Sequence, residues 1–573
     1  MRASLRLAGL VACIITIGWF LHARLYNLSA SAVSRLDLPE CHNNELHEIS
    51  EAITNATATW DETLEHRTTT LAQAAAEYRR RRGRHPPPGF DVWHERAARA
   101  GAVLVEDFFD QIYHDLELFW GIRASDMRAS IAKWSPFFQI RNGKASEISG
   151  GRARSRSWAG LVASIARDLP DMDLALNGLD EPIVIASWKT VDNAMYHASI
   201  QAKRMEAIPL AEFSQTFAAS RTNPQSVPGH KPKPRARWNS KRDKFHEAIR
   251  GACPPESTLR KNGTGLDHHS NMPIGLPGNI TSQRDLCEQP ELMTSHGYLL
   301  SPDSINFTTS PIPIFSTAKT RVNNDILLPD PAYYENKAHS GKDFWGDWSN
   351  SFAWQDKVHG LIWRGAGTGG ANCINEYSKY HRHRFVARLN ATSIDNHYDS
   401  DTTFTSWLPG HANASFTRLF CDKITSVAEH FSVAKSMKMS SQYKWKYLPD
   451  IDGNTLSGRF RAFMRSNSAV MKATIFTEWH DARLMPWKHY IPLEMSYGNI
   501  YEIMKYFLGY PGQCAHDREG ERIAREGREW AEKVLRKEDM LIYVHRLLLE
   551  YARIVDDDRD RLGYVQDLLD ERN

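Results

Sequence analysis

Short apolar runs typical of strands alternate with longer amphipathic stretches typical of helices along this chain. The runs at 314–316, 326–328 and 360–363 have the length and the polar flanks of buried strands. Apolar side chains recur every three or four residues at 523–534 and at 540–551, which predicts two helices near the carboxyl terminus. Strands that alternate with helices predict an α/β architecture with parallel sheets.

The amino-terminal segment predicts a membrane anchor. Residues 7–21 are mostly apolar and follow two arginines, a pattern shared by signal anchors and signal peptides. As a helix the run is about 22 Å long, so spanning a core of about 30 Å requires flanking residues and a thin bilayer. The small residues at 30–32 are far from the run for a cleaved peptide. We therefore predict a cytoplasmic tail at 1–6 and a single signal-anchor transmembrane helix at 7–23.

The next segment predicts a stem. Residues 24–84 are polar and rich in alanine, threonine and glutamate, without an apolar stripe wide enough for a core. The basic run Arg79–Arg82 is interpreted as a solvated stretch, with a processing-protease site as the alternative. A proline cluster then marks the beginning of the folded part. The predicted segments are a stem at 24–84, an N-terminal domain at 85–330, a C-terminal domain at 331–540 and a terminal helix at 541–573 that packs back on the body.

Composition limits the function classes. The chain has 573 residues, 42% hydrophobic and 24% charged, which is typical of a globular protein with an ample core. Lysine and arginine number 71 against 68 aspartates and glutamates, giving a formal charge of +3. A balance this even argues against a nucleic-acid partner.

Sequons and cysteines indicate the secretory pathway. Seven Asn-x-Ser/Thr sequons begin at Asn27, Asn55, Asn262, Asn279, Asn306, Asn390 and Asn413, and we predict glycans on all but the first of these. Six of the seven cysteines lie outside the apolar run, an even number that is compatible with disulfides, although buried free thiols are the alternative. The chain ends without a retention tetrapeptide, which favours the Golgi over the endoplasmic reticulum.

Two segments carry candidate chemistry for a polar ligand. Asn177, Asp180 and Glu181 follow a predicted strand at 173–177, where carboxylates of α/β proteins face a ligand crevice. Asp180 would be a general base, or alternatively a turn-forming residue. The glycine-rich stretch 363–370 would let backbone amides approach phosphate oxygens, but it is not a Walker A loop.

A third candidate segment for ligand binding is 447–461. The turn at 452–454 precedes Ser457, which predicts the N-cap of a basic helix that continues to about Lys472. Amide donors at that helix start, together with Arg459, would bind a diphosphate, whereas the alternative is an ordinary capped helix. Asp450 and Asp452 form an alternative pair of divalent-metal ligands. Serine-hydrolase and zincin motifs are absent from the sequence.

Taken together, these segments resemble glycosyltransferase family 90, which includes fungal capsule-associated xylosyltransferases and Rumi-type protein O-glucosyltransferases. The motifs that carry the resemblance, in the family's order, are His85–Phe90 with Trp93, Leu169-Pro170-Asp171-Met172, Asn177-x-x-Asp180-Glu181-Pro182, Asp325-Ile326-Leu327-Leu328-Pro329, Trp363-Arg364-Gly365, Asp452-Gly453-Asn454-x-x-Ser457-Gly458-Arg459-Phe460, and Pro486-Trp487-x-His489-Tyr490-x-Pro492.

The resemblance implies a GT-B-like fold, in which two Rossmann-like domains face each other across a cleft, and an inverting transferase that uses a UDP-sugar. It implies Asp180 as the catalytic base. The residues that it implies for donor binding are Asn454, Thr455, Leu456, Ser457, Gly458, Arg459, Arg364, Gly365 and Arg384, with Arg382 as the second choice for the last. Ala366 stands where Rumi-like enzymes have a donor-contacting serine.

We therefore expect a type II Golgi-membrane enzyme that transfers xylose or glucose to a glycan or glycoprotein. No metal or other cofactor is expected to be obligatory. The alternatives are a non-catalytic glycan-binding protein and a glycoside hydrolase that uses Asp180 and Glu478. Cys253 and Cys287 are the first candidate disulfide, and Cys373 with Cys421 is the second.

Overall fold

The computed structural model describes residues 47–134, 137–147, 153–217, 238–263, 280–302, 304–333, 352–370, 377–390, 401–420 and 430–570. The predicted anchor at 7–23 lies outside these residues, as do Asn27, Asn279, Cys373 and Cys421. Within the described part of the chain, no helix combines the length and the apolarity that crossing a bilayer requires.

The protein is a mixed α/β structure with parallel strands. Its strands are β1 Arg67–Thr68, β2 Leu104–Val105, β3 Phe137–Arg141, β4 Lys144–Glu147, β5 Met172–Leu176, β6 Trp238–Asn239, β7 Phe307–Thr308, β8 Ile314–Ser316, β9 Ile326–Leu327, β10 Val358–Ala366, β11 Ala412–Arg418, β12 Trp445–Ile451, β13 Ala469–Ala473 and β14 Ile491–Pro492.

The α-helices are α1 Glu48–Glu65, α2 Leu71–Arg82, α3 Phe90–Arg99, α4 Asp110–Trp120, α5 Ala124–Ile131, α6 Ala153–Ala163, α7 Trp188–Glu206, α8 Arg242–Ala252, α9 Thr258–Asn262, α10 Ile280–Gln283, α11 Leu292–Ser295, α12 Gly297–Leu300, α13 His381–Leu389, α14 Thr402–His411, α15 Met439–Gln442, α16 Phe460–Met464, α17 Ile500–Leu508, α18 Asp517–Val534, α19 Lys537–Ile554 and α20 Gln566–Asp570.

Two five-stranded sheets organise the body. The first has the order β4-β3-β5-β8-β9, in which β5, β8 and β9 run parallel and β3 pairs antiparallel with both β4 and β5. The second has the order β11-β10-β12-β13-β14 and all its pairs are parallel. The sheet-forming runs are apolar because helices cover parallel sheets on both faces. Ile362 and Trp363 of β10, for example, are almost fully buried.

The predicted stem is wrong for residues 48–82, which form α1 and α2 and belong to the body. Ile49, Ile53, Ala56 and Trp60 lie on one face of α1 and are buried. Their spacing of four, three and four residues is a helical stripe among alanine and threonine residues. The Trp60 ring packs edge-on against Trp530 of α18, at 5.3 Å between ring centroids. The folded part therefore begins well before residue 85.

The basic run at the end of α2 is not a solvated stretch. Arg79 pairs with Asp567, and the Arg81 guanidinium lies 2.5 Å from the Asp110 carboxylate. The buried side chain of Arg82 donates to Glu106 at 2.9 Å. These pairs fasten α2 to α4 and to the chain terminus, so the run is part of the tertiary structure.

The predicted carboxyl-terminal helix is α19. It begins at Lys537, before the expected boundary at 541, and packs against α2 and α4. Arg546, Glu550 and Arg553 on it are buried, and Glu550 accepts hydrogen bonds from Tyr78, Tyr113 and Arg553. Burying these charges is tolerated because each is hydrogen-bonded. The helix therefore holds α2 and α4 in place.

Burial of neutral histidines predicts an acid-sensitive fold. Burial lowers the pKa of His383 and of His545 to about 4, and that of His489 to about 3. Since an unfolded histidine has a pKa near 6.5, unfolding takes up protons below that pH and stability falls as pH falls. Each group should remove about 1.4 kcal/mol between pH 7.5 and pH 5.5, measured by urea unfolding at both values.

The matched variant is His383→Phe. The His383 ring lies among aromatic rings, 4.8 Å from Phe416 and 5.4 Å from Phe431 between centroids, and a phenyl ring suits those surroundings. We expect this variant to lose about 1.4 kcal/mol of the pH dependence. An unchanged difference between the two pH values would contradict the neutral state of His383.

Candidate active site

The candidate site lies where the second sheet reverses its winding. From β10 the chain goes to β11 at one edge, and it then returns to β12 on the other side of β10. Loops that follow two strands separate at such a point, and the crevice between them is where α/β proteins bind ligands. The two loops here are 366–370, after β10, and 452–459, after β12.

Glycines allow the first loop to pack closely. A Cβ at Gly365 would lie 2.6 Å from the Trp363 ring, and Gly369 has a φ of +111°. The Gly369 amide donates to Asn454 Oδ1 at 3.0 Å, so the predicted donor residue Asn454 ties one loop to the other. The two glycine-bearing segments noted in the sequence therefore form one surface.

The remaining residues of the second loop shape its backbone. Thr455 is buried, and its carbonyl accepts from the Gly453 amide at 2.7 Å. Leu456 packs on the apolar core, whereas a Cβ at Gly458 would meet nothing within 4 Å. Ser457 is buried, with its hydroxyl 3.5 Å from Arg459 Nε. The loop is thus compact, with open space at Gly458.

The predicted helix after Ser457 is much shorter than expected. Helix α16 covers only Phe460–Met464, and Lys472 belongs to the buried strand β13. A helix of five residues has a small dipole, so the positive charge at this loop comes mainly from arginine side chains. The apolar run 469–473 forms a strand because it pairs in register with β12.

Arg459 is a cation of the second loop whose guanidinium is only partly hydrogen-bonded. Its Nη1 donates to the Arg364 carbonyl at 2.8 Å, and its guanidinium lies 5.5 Å from the Trp363 ring. Its Nη2 is buried and has no hydrogen-bond partner among the described residues. Burial lowers the pKa of Arg459, and Asp450 opposes that shift. A buried guanidinium edge without an acceptor suits a phosphate or carboxylate ligand.

Arg384, the first choice for a further donor-binding arginine, is hydrogen-bonded to backbone carbonyls. Arg384 donates to the carbonyls of Ser295, Ser378 and Met495, at distances between 2.6 and 3.1 Å. None of these three acceptors belongs to the loops after β10 and β12, and the contacts give Arg384 a structural role. The donor-binding role that the resemblance implies for Arg384 stays a prediction.

Arg382, the second choice, lies at the strand ends. Its guanidinium donates to the carbonyls of Ala366, Ile451 and Asp452 and to the Thr368 hydroxyl, at 2.6–3.0 Å. Burial lowers its pKa to about 9, which leaves it charged at neutral pH. Arg382 therefore fixes the separation of the two loops.

Arg364 points towards the sheet edge. Its guanidinium donates to the Asn413 carbonyl at 2.8 Å and to Asn413 Oδ1 at 2.7 Å. Its carbonyl, rather than its side chain, faces Arg459. The predicted contribution of Arg364 to the site is thus made by its backbone.

A buried cluster of one lysine and two carboxylates lies beneath the second loop. Lys472 Nζ is 3.5 Å from Asp450 Oδ2 and 3.1 Å from Glu478 Oε1, and all three side chains are buried. Ser457 and Arg459 both favour the ionised form of Asp450, although burial raises its pKa. Asp450 therefore connects Lys472 to the loop that carries Arg459.

The aspartates of the metal alternative both have protein partners. Asp452 Oδ2 accepts from the Ile475 amide at 2.9 Å and lies 3.3 Å from His296 Nε2, and Asp450 faces Lys472. Across the described segments, no group of three or more His, Cys, Asp or Glu side chains is arranged to hold a metal ion. Asp450 Oδ1 is buried and has no hydrogen-bond partner among the described residues.

Two stacked histidines close the back of the site. The rings of His296 and His381 are parallel, with centroids 4.0 Å apart. His381 Nδ1 accepts from the Gly297 amide at 3.2 Å while Nε2 lies 2.8 Å from the Asp452 carbonyl. Burial lowers the pKa of both rings, as stacking of two neutral imidazoles requires. The pair joins α12 to the loop after β12.

Asp180 lies in the loop that follows β5 in the first sheet. Asn177 holds this loop: its Nδ2 donates to the Glu181 carbonyl at 2.7 Å, and its Oδ1 accepts from the Leu179 amide at 2.9 Å. Glu181 is buried and accepts from the Ser304 hydroxyl at 2.6 Å, whereas Asp180 is exposed. The loop therefore has buried polar anchors on both sides of an exposed carboxylate.

Asp325, which immediately precedes β9, supports the end of this loop. It accepts from the amides of Ile183 and Val184, at 3.0 and 2.9 Å, and from the Ser316 hydroxyl at 2.6 Å. Burial raises the pKa of Asp325 to about 6. The motif that begins at Asp325 in the sequence therefore has a positioning role.

The carboxyl edges of the two sheets meet. After β8, Lys319 forms a backbone bridge with Thr477, which follows β13. After β9, the Tyr333 hydroxyl donates to the Ser457 carbonyl at 3.4 Å. Because the Asp180 loop follows β5 on the same edge, it lies on the side of the first sheet that faces the Arg459 loop.

The predicted disulfide is present, and Cys253 and Cys287 are joined with their Cα atoms 5.4 Å apart. Cys514 is disulfide-bonded as well. The described sequon asparagines are all exposed: Asn55, Asn262, Asn306, Asn390 and Asn413.

One family model and several relatives match parts of this chain. A family model described as Glycosyl transferase family 90 matches residues 300–561, which include both loops of that sheet but not Asp180. The chain is 31% identical over 120 residues to protein O-glucosyltransferase 3 of Mus musculus, covering 21% of this chain and 23% of that protein. It is 24% identical over 268 residues to protein O-glucosyltransferase 1 of Homo sapiens, covering 44% and 61%.

A third relative, protein O-glucosyltransferase 2 of Danio rerio, is 23% identical over 253 residues, which cover 43% of this chain and 44% of that protein. The alignments thus span less than two thirds of the length of these relatives.

The buried cluster of Lys472, Asp450 and Glu478 predicts a large loss of stability when the lysine is replaced. In Lys472→Met, Asp450 and Glu478 remain buried without their cation, so we expect a loss of about 3–5 kcal/mol in the free energy of unfolding. Urea unfolding measures it, with Arg80→Ala as the control. Arg80 pairs with Glu77 on the surface, and its loss should leave the free energy of unfolding almost unchanged. Similar losses in both variants would contradict the role of Lys472.

Proposed function

We propose, from the premise that residues 300–561 belong to glycosyl transferase family 90, that this protein is an inverting glycosyltransferase. It transfers a sugar from a UDP-sugar to a hydroxyl of a glycan or glycoprotein acceptor. The proposal is carried by one observation: the carboxyl edges of the two sheets meet. The edge of the first sheet bears the loop of Asp180, and the edge of the second bears the loop of Arg459, whose Nη2 is unsatisfied.

Asp180 is the proposed general base. An inverting transfer needs one carboxylate that takes the acceptor hydroxyl proton while the oxygen attacks the anomeric carbon from the face opposite UDP. An exposed carboxylate on a loop fixed by Asn177 and Asp325 suits this role. Glu181 does not, because its carboxylate is buried against Ser304.

Arg459 is the proposed stabiliser of the leaving diphosphate. Negative charge grows on UDP as the glycosidic bond breaks, and fixed cations and amides in a buried site lower the energy of that state. The unsatisfied Nη2 of Arg459 and the open space at Gly458 support this assignment. The contacts of Arg382 support a positioning role instead, because its donors are already engaged. A divalent metal is not required by this arrangement.

The two sheets are proposed to be the halves of a GT-B-like enzyme, with the acceptor on the side of Asp180 and the donor on the side of Arg459. The exposed sequons and the disulfides are consistent with a lumenal enzyme, and we propose a Golgi location with a single anchor at 7–23. Because the named relatives are O-glucosyltransferases, glucose is the first donor to test, followed by xylose.

Glycoside hydrolysis is the less supported alternative. It needs a second carboxylate available to the substrate. Glu478, the candidate partner of Asp180, is buried between Lys472 and His480. A purely glycan-binding protein would not need Arg459 to remain unsatisfied. Turnover of a UDP-sugar separates both alternatives from a transferase.

Replacing the proposed base tests the function directly. We expect the wild-type protein to release UDP from UDP-glucose or UDP-xylose in the presence of acceptor, with and without EDTA. Asp180→Asn should lower kcat by at least about 10³-fold while the UDP affinity measured by calorimetry stays within about twofold. The control is Asp192→Asn, an exposed aspartate on α7, which should be neutral. Activity retained in Asp180→Asn would refute the assignment.

Two arginines that were both predicted to bind the donor should behave differently. Arg459→Ala should weaken UDP binding by about tenfold or more, because a charge-assisted contact is lost. Arg384→Ala should leave intrinsic UDP affinity within about threefold but lower stability by about 2–3 kcal/mol, since the carbonyls of the buried residues Ser295 and Met495 lose their donor. Calorimetry and urea unfolding measure the two effects, and the reverse ranking would contradict the structure.

A further inference from the structure

Two tryptophans stack beside the Asp180 loop, and the proposed mechanism does not use them. The rings of Trp134 and Trp238 have centroids 4.8 Å apart and planes tilted by 37°. Trp134 is half-buried, whereas Trp238 is 37% exposed. A tryptophan that serves only the core is usually covered, so an indole held at the surface on a second indole needs a reason.

The two rings are attached at opposite ends of the loop. Trp134 Nε1 donates to the carbonyl of Leu176, the last residue of β5, at 2.8 Å. Trp238 lies on β6, opposite Thr308 of β7. Thr308 in turn exchanges backbone hydrogen bonds of 2.8 Å with Ile183 and Ile185, immediately after the loop. The pair is therefore fixed to the same frame as Asp180.

The exposed apolar surface here is small. Phe307, which lies opposite Asn239 across the β6–β7 pair, is buried, so Trp238 is the exposed aromatic of these two strands within the part of the chain that the structure describes. One indole face matches the footprint of one sugar ring. The C–H face of a pyranose is weakly positive and apolar, and it suits the negative face of an indole. A peptide segment would need a longer groove.

We propose that Trp238, supported by Trp134, is a stacking platform for a sugar ring of a glycan acceptor. This inference rests on the proposed transferase function. The platform binds the apolar face of the ring and presents one of its hydroxyls to Asp180. Trp238 acts as a binding residue and takes no part in proton transfer.

The experiment uses Trp238→Ala and Trp238→Phe in the full chain, with a panel of p-nitrophenyl glycosides of glucose, galactose, mannose and xylose as acceptors. In Trp238→Ala we expect the KM for the best glycoside to rise at least about tenfold. UDP affinity and acceptor-independent UDP release should stay unchanged. Trp238→Phe should recover part of the loss because it keeps an aromatic face. The matched control is Tyr196→Ala, a 63% exposed aromatic on α7, which should be neutral.

Direct binding keeps this test separate from that of the proposed function. Saturation-transfer NMR measures glycoside binding without turnover. If the wild type binds a glycoside, loses it in Trp238→Ala and yet turns over no UDP-sugar, the platform stands and the transferase function fails. If glycoside KM and glycoside binding are the same in wild type and Trp238→Ala, or if only binding of an unglycosylated protein acceptor is lost, the platform is refuted. Unfolding temperatures of all variants exclude a folding effect.

Discussion

The site depends on one buried guanidinium. Arg382 lies at the point where β10 and β12 send their loops apart, and its donors take up the last carbonyls of both strands. Without it the carbonyls of Ala366 and Ile451 would lose this donor, and the contacts between the two loops would lose their main support. The contact between Gly369 and Asn454 and the stacking of His381 on His296 both need that distance. Arg382 is therefore the structural centre of a surface whose other cation remains available.

The buried ion pair of Lys472 and Asp450 also holds the second loop in place. A buried ion pair contributes little net stability, because desolvation opposes the attraction, but it strongly penalises any arrangement that separates the charges. Lys472 on β13 faces Asp450 on β12, in register across the parallel pair. The pair thus fixes the position from which the chain enters the Arg459 loop.

The spacing of apolar residues predicted the elements whose own sequence shows a clear strand or helix pattern. Strand β8 was predicted at its observed bounds, and the helices α18 and α19 were recognised from their periodicity. The stripe on α1 was missed because small residues surround Trp60. The helix after Ser457 was extended too far because an apolar run such as 469–473 is compatible with either element, and only its pairing with β12 decides.

The site was predictable by segment but not by side chain. The sequence placed Asp180 after a strand, as observed, and Arg459 after a turn, without the strand β12 that precedes that turn. Residues 382 and 384 are two positions apart on helix α13, which is about 200° of rotation, so only one of them can face the strands. Sequence spacing favoured Arg384, and the structure turns Arg382 to that side. Trp134 and Trp238 had no sequence signal at all, because a stacked pair distant in sequence is created only by tertiary folding.

In both loops, buried residues hold the backbone in place, and a neighbouring residue is proposed to carry the chemistry. In the first sheet, Asn177 and Glu181 are buried and hydrogen-bonded, Asn177 within the loop and Glu181 to Ser304, whereas Asp180 between them is exposed. In the second sheet, Asp452 is buried against backbone and His296, while Arg459 keeps an unsatisfied edge. Rigid neighbours can hold a reactive group in place while that group faces solvent or a ligand. Chemistry is therefore expected from the exposed carboxylate of one loop and from the guanidinium with an unsatisfied nitrogen in the other.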